Sequence, residues 1–355
     1  MWAAVIEVVG ESPVAAEVDE AVREEGSALV AVAAAPLNPV EIRVAAGRHP
    51  RRAEPPYVPG LEGVGTVIES DRVPAGTRVR FESAALPGFG ARGTLAERAA
   101  VPEESLAQLP DDVDDDVAAA AGVVGITALL ALERAAPLEG TRVLVLGATG
   151  AVGQMAVQLA KAMGAARVVA AGRDPDRLAR VRELGADDTV ELARGESARA
   201  AEPGGGLARG ESARTAEPGG AAGGLAAELG EAFERAAGGP LDVVIDPIWG
   251  DPAMAALAVI ATEGRLVNVG QPAGTHVHIP LETVRNRQAT IHAISSGWTP
   301  LDRKVAAYAR VLERVREGRV EVDRDVVPLD RVGDAWQRQE ASPGRKLVVA
   351  IGQTA

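Results

Sequence analysis

The sequence predicts an α/β protein, a doubly wound parallel sheet combined with a β-rich region. Three observations lead there. From Arg142 onward, short apolar runs alternate with segments of helical periodicity, the pattern of a parallel sheet with helices on both faces. The stretch VLVLGATGAVGQMAVQLAK at 143–161 passes from an unbroken apolar run to helical spacing through a tight glycine-rich turn. Up to about Pro110 the chain instead reads as short β-leaning segments interrupted by Gly, Pro and Asp.

The N-terminal strands are VAAAPLN, GVGTVIES, GTRVRFES and GTLAERAAV. The acidic run DDVDDDV then leads into AAAAGVVGITALLALERAA, a helix whose early acids suit its positive end. In the alternating part, RVLVLG is a strand buried on both faces, and Val152, Met155, Ala156, Leu159 and Met163 mark the helix after it. Next come the strand ARVVAAG and the helix DPDRLARVRELG, with Asp174 as cap and Pro175 at the first helical position. DDTV, LDVVID, GRLVNVG and ATIHAIS complete the strands, with PAMAALAVIA as a helix between the second and third. The tail holds an amphipathic helix, DRKVAAYARVLERVREG, and a last strand, RKLVVAIG. LARGESARAAEPGGG at 192–206 is followed by the near copy LARGESARTAEPGG. Two copies with few large apolar residues cannot bury a face, so 192–221 is expected to be a flexible surface loop without chemistry.

Composition narrows the function. The 355 residues carry 47% hydrophobic side chains but only 3% aromatics, so Ala and Val must fill much of the core. A formal charge of −13 argues against nucleic acid or an anionic membrane surface as partner. No stretch approaches the roughly 18 apolar residues of a membrane span, and a soluble cytoplasmic protein is expected. With no cysteine, disulfide and thiolate chemistry is excluded and the commonest zinc ligand is missing.

The glycine-rich turn offers the first N–H groups of a helix, and the positive end of its dipole, to a phosphate. Gly150 lets backbone approach a pyrophosphate, and Gly153 lets the helix pack close to the strand. Taken alone, the turn could equally bind nothing. The next strand supplies the second observation, because it ends Ala171-Gly172-Arg173 without the acid that would accept from a ribose 2′-OH. Arg173 and Arg177 could grip a 2′-phosphate, with Gly172 leaving room, or could simply solvate a helix start; the residues favour NADPH.

Five segments together resemble the medium-chain dehydrogenases/reductases, and most closely their zinc-free quinone oxidoreductase, or ζ-crystallin-like, branch. They are NPVEIRVAAG at 38–47, VPGLEGVGTV at 58–67, AAGVVGITALLAL at 120–132, LGATGAVG at 146–153 and EGRLVNVG at 263–270. The resemblance implies a GroES-like β-rich domain built from both chain ends (1–114 and 289–355) around a Rossmann domain (115–288). It also implies an active site between them and a homodimer. Zinc-dependent relatives carry a Cys in the first motif and a His before the glutamate of the second. Here Leu61 precedes Glu62, so no metal is expected.

The same resemblance implies site residues. Thr149, Gly150, Ala151, Val152 and Gly153 would hold the pyrophosphate, and Gly172, Arg173 and Arg177 would surround the adenosine phosphate. Asn268, Val269, Gly270 and Gln271 would line the nicotinamide side, with Ile294, Ser295 and Ser296 nearby. Thr127 would sit beneath the nicotinamide and Asn38 would face the substrate. Arg43 stands where many relatives have a tyrosine, and could stabilise an enolate, reach the cofactor phosphates, or be a solvated surface arginine. The expected activity is metal-free hydride transfer from NADPH to a quinone or α,β-unsaturated ketone. The alternatives are a tailoring reductase acting on a larger enone and a catalytically silent NADPH-binding protein.

Overall fold

The computed structural model describes residues 1–50, 53–83, 92–193 and 221–352. In chain order the first elements are β1 (Trp2–Val5), β2 (Val14–Glu17), β3 (Ser27–Pro36), α1 (Pro39–Ala45), β4 (Glu62–Glu69) and β5 (Arg78–Glu82). β6 (Arg98–Pro102), β7 (Ala107–Gln108), α2 (Asp115–Ala120) and α3 (Gly122–Ala135) follow. The alternating region comprises β8 (Arg142–Val145), α4 (Ala151–Ala162), β9 (Arg167–Gly172), α5 (Pro175–Glu183), β10 (Asp188–Glu191) and α6 (Ala221–Ala237). It continues with β11 (Leu241–Asp246), α7 (Asp251–Ala258), β12 (Ile260–Asn268), α8 (Leu281–Arg287) and β13 (Thr290–Ala293). The chain closes with α9 (Leu301–Arg316), β14 (Arg324–Pro328), α10 (Val332–Glu340) and β15 (Lys346–Ala350).

The chain divides into two compact units, one made of 1–127 and 295–355, the other of 128–294. The sequence expectation set these borders at 114/115 and 288/289. The N-terminal border moves because α2 packs on β3, β4, β14 and β15, all strands of the first unit. The alanine-rich segment is also two helices rather than one, α2 and α3, meeting at Ala121.

In the first unit, β14, β15, β3, β4, β5 and β7 form one sheet in that order, and β6 pairs with β3. β3 alternates half-buried and buried residues along most of its length, as an antiparallel strand with one face on a core does. β15 pairs with it antiparallel, Val348 opposite Pro36 and Ala350 opposite Ala34, so both chain ends build this GroES-like sheet. Its core gathers Ile6, Leu37, Phe81, Leu95, Trp336 and Leu347.

The second unit is a six-stranded parallel sheet in the order β10-β9-β8-β11-β12-β13, the Rossmann arrangement in which chain order reverses beside β8. Val143, Leu144 and Val145 are all fully buried, which explains the unbroken apolar run of β8. Asp174 caps α5 by accepting from the Arg177 N–H at 3.1 Å, as the sequence suggests. Within the repeat, 194–220 lies outside the described residues. Among the described residues no helix is long and apolar enough to cross a membrane.

Candidate functional site

In the Rossmann unit, the expected phosphate turn joins β8 to α4. Gly147 takes a φ of +56°, and the chain doubles back so that the Gly150 N–H donates to Gly147 O at 3.0 Å. A Cβ on Gly153 would lie 2.4 Å from Gly147 O and 2.6 Å from Ala148 Cα, so only glycine lets α4 begin this close to the strand. Gly150 differs. A Cβ there would meet nothing nearer than Gly147 O at 3.5 Å, an ordinary contact, so no protein atom requires the side chain to be missing. As helix N-cap it carries no side chain to accept from the first-turn N–H groups. Bare backbone, an open side and unclaimed donors at a helix start fit a pyrophosphate.

At the end of β9, a Cβ on Gly172 would press to 2.6 Å from Thr149 Cγ2. Close packing of Thr149 therefore accounts for this glycine, where the sequence reading invoked room for a phosphate. Arg173 is exposed, and no described residue pairs with its guanidinium. Arg177 lies half-buried, with Nε 3.4 Å from Asp174 Oδ2. The turn residues Thr149, Gly150, Ala151, Val152 and Gly153 thus share one edge of the sheet with Gly172, Arg173 and Arg177.

At the C-terminal ends of β12 and β13, Asn268 Nδ2 donates to Asp246 Oδ2 at 2.8 Å and to Gly270 O at 2.7 Å. The Ile294 N–H donates to Asn268 O at 3.0 Å. Val269, Gly270 and Ile294 are half-buried and Gln271 is exposed. Asp246 is fully buried and was not singled out from sequence. An acid closing the apolar run LDVVID, at a strand end where ligands bind in such sheets, was a usable signal.

The remaining expected residues belong to the other unit. Thr127 Oγ1 donates to Ser296 Oγ at 3.0 Å, and Ser295 is exposed. Asn38 precedes α1 and is 2% exposed. Its Oδ1 accepts from Lys346 Nζ at 2.6 Å, while Nδ2 has only long contacts of 3.4 Å to Pro36 O and Glu62 Oε1. Arg43 is exposed on α1 and takes no part in this cluster.

The cluster around Asn38 is densely charged. Glu62 Oε2 accepts from Arg80 Nη2 at 2.9 Å and from the Val123 N–H at 2.8 Å. Arg80 Nη2 also lies 2.7 Å from Glu82 Oε1, off the hydrogen-bonding direction, and Lys304 Nζ pairs with Glu82 Oε2. The Arg80 guanidinium sits 5.4 Å from the centre of the Tyr308 ring. Glu41 accepts from the backbone N–H groups of Asn38 at 2.8 Å and Leu61 at 2.7 Å. Glu41, Glu62, Glu82, Arg80, Lys304 and Lys346 are all buried, three acids against three bases.

Burial raises the Glu41 carboxyl to about 7, against the pull of the Asn38 N–H and Lys346. Burial also lowers the Lys346 ammonium, opposed by Glu62 and Glu41. Glu82 shows the reverse balance: burial pushes it up, but Arg80 and Lys304 outweigh that and hold it below the usual range. Lys304 and Lys346 gave no signal in the sequence, where a lysine on an amphipathic helix or at a strand start reads as solvated. Among the described residues, no group of three or more His, Cys, Asp or Glu side chains is placed to hold a metal ion.

Two family profiles match the chain: the alcohol dehydrogenase GroES-like domain over residues 24–111 and the zinc-binding dehydrogenase over residues 151–313. Quinone oxidoreductase-like protein 2 of Bos taurus is 28% identical over 323 residues, covering 88% of this chain and 82% of its own. The NADPH-dependent alkenal/one oxidoreductase of Arabidopsis thaliana chloroplasts is 35% identical over 182 residues, a match spanning 48% of this chain and 46% of that protein. The crystal structure of the quinone oxidoreductase from Thermus thermophilus superposes with a TM-score of 0.71 at 28% identity, covering 99% of this chain and 100% of that one.

Proposed function

Because this chain belongs to the medium-chain dehydrogenase/reductase family, in its quinone oxidoreductase branch, we propose that it is an NADPH-dependent, zinc-independent reductase of quinones or α,β-unsaturated ketones. The observation that carries this reading is the turn at Gly150, open, uncapped and free of any internal need for glycine. The names of the Bos taurus, Arabidopsis thaliana and Thermus thermophilus relatives support the substrate class.

The N–H groups at the start of α4 bind the pyrophosphate, and Arg173 grips the 2′-phosphate that distinguishes NADPH from NADH. When bound, the reduced nicotinamide supplies a hydride to an electrophilic carbon. Negative charge then develops on the acceptor oxygen, as an enolate or phenolate, and the chain's task is to stabilise it. Asn38 Nδ2, engaged only at 3.4 Å, is the donor assigned to that oxygen. A conjugated acceptor needs no more than this. The ligand set of zinc-dependent relatives is replaced at Leu61, and the chain has no cysteine.

Mixing the protein with NADPH and a panel of small quinones and enones tests the proposal. The expected result is loss of NADPH absorbance that EDTA leaves unchanged. Turnover with NADH alone, or turnover abolished by EDTA, overturns it.

A further inference from the structure

Asp246 closes β11 with a carboxylate that no cation meets among the described residues, yet it is fully buried. Its Oδ1 accepts from the Ile248 N–H at 3.0 Å and the Trp249 N–H at 2.7 Å, and its Oδ2 from Asn268 Nδ2 at 2.8 Å. Its backbone oxygen accepts from Asn268 Nδ2 at 3.1 Å and from the Val269 N–H at 2.9 Å. One residue therefore ties together the loops leaving two neighbouring parallel strands, 247–250 after β11 and 269–273 after β12. The tie continues outward, where the Ala273 N–H donates to Ile248 O at 2.9 Å.

Two further features give this arrangement a direction. Trp249 holds a φ of +62°, unfavourable for a bulky side chain, and the Asp246 carboxylate is what its N–H donates to. Ile248 rests on the phosphate turn, since a Cβ on Gly147 would come within 2.6 Å of its Cγ2. A buried carboxylate without a countercharge is an expensive way to pin a turn that neutral side chains can pin. Its gain is stronger, shorter hydrogen bonds from three neutral donors, hence more exact placement.

We propose that Asp246 is a positioning residue of the cofactor site: its carboxylate fixes the spacing between loops 247–250 and 269–273 and so presents Asn268–Gln271 to the nicotinamide end of the dinucleotide. This rests on the reading above that NADPH occupies the turn after β8. Asp246 touches no reacting atom in this role. It acts through Asn268, whose two N–H groups are wholly taken up by Asp246 and Gly270 O.

The test uses the full chain and two ligands, NADPH and adenosine 2′,5′-bisphosphate, which carries only the adenosine end. Asp246→Asn is expected to weaken NADPH about tenfold or more, the scale of a lost charged hydrogen bond. Binding of the bisphosphate should change by less than about twofold. Equal weakening of both ligands, or of neither, overturns the positioning role while leaving the cofactor reading intact. Wild-type protein that binds neither ligand overturns both. Should Asp246→Asn fail to fold, Asn268→Ala removes the side-chain bonds to Asp246 and Gly270 O and keeps the carboxylate's bonds to Ile248 and Trp249. It is expected to show the same selective loss, and NADPH binding at wild-type strength by this variant overturns the proposal.

Discussion

Lys346 Nζ donates to Asn38 Oδ1 at 2.6 Å, joining the start of the last strand to the residue that opens α1. The bond fixes which way the carboxamide faces, leaving Nδ2 as its donor side. Lys346→Met removes this anchor and a positive charge that opposes Glu41 and Glu62. Breaking a buried charge interaction from one side costs about 3–5 kcal/mol. Denaturant unfolding should show a loss of that order, and kcat for quinone reduction should fall further than the affinity for NADPH.

Arg173→Ala should raise KM for NADPH while leaving KM for NADH nearly unchanged. A charge-assisted bond to a phosphate contributes about 1.5–3 kcal/mol, so the preference should shift by about tenfold or more. Steady-state kinetics with both dinucleotides check this, and an unchanged preference removes Arg173 from the role.

Gly150 and Gly153 should separate under mutation. Gly153→Ala forces a Cβ against Gly147 O and Ala148 Cα, and is expected to lower the melting temperature and NADPH binding together. Gly150→Ala meets only an ordinary contact, so stability should change by about 1 kcal/mol or less. NADPH should nevertheless bind about tenfold more weakly, because the methyl group fills the side on which phosphate approaches. Thermal melts and a binding titration on the two variants distinguish these outcomes.

Glu41 gives a pH dependence of definite sign. Its folded-state value of about 7 lies above the ordinary 4.5, so the folded protein binds the proton more tightly than the unfolded chain does. The resulting stability is fully present below about pH 4.5 and is lost as pH rises through about 7. That shift corresponds to about 3 kcal/mol. In Glu41→Gln the fall in stability between pH 5 and 7 should flatten, as read by urea midpoints across that range.

The Rossmann half was legible because β8, β9 and β11 are buried on both faces and write themselves as unbroken apolar runs. Helix α4 followed from its spacing, and the turn between from its glycines. Helices α1, α8 and α10 were not read, because each is short and its apolar face is set by tertiary packing rather than by a sustained period. The phosphate-turn residues were singled out by chemistry that requires bare backbone. Lys346, Lys304 and Arg80 escaped because nothing local distinguishes a buried base from a solvated one. The two lysines meet acids brought from β4, β5 and α1, far away along the chain, and Arg80 pairs with Glu62 of the neighbouring strand and Glu82 of its own.

The antiparallel pairing of β15 with β3 has a consequence for synthesis. The unit 128–294 is continuous in sequence, so all of its strands are made before β15 is. The other unit must hold an unfinished sheet, with β3 lacking one neighbour, until β15 arrives. Asn38 receives its lysine partner only after a further 308 residues have been made.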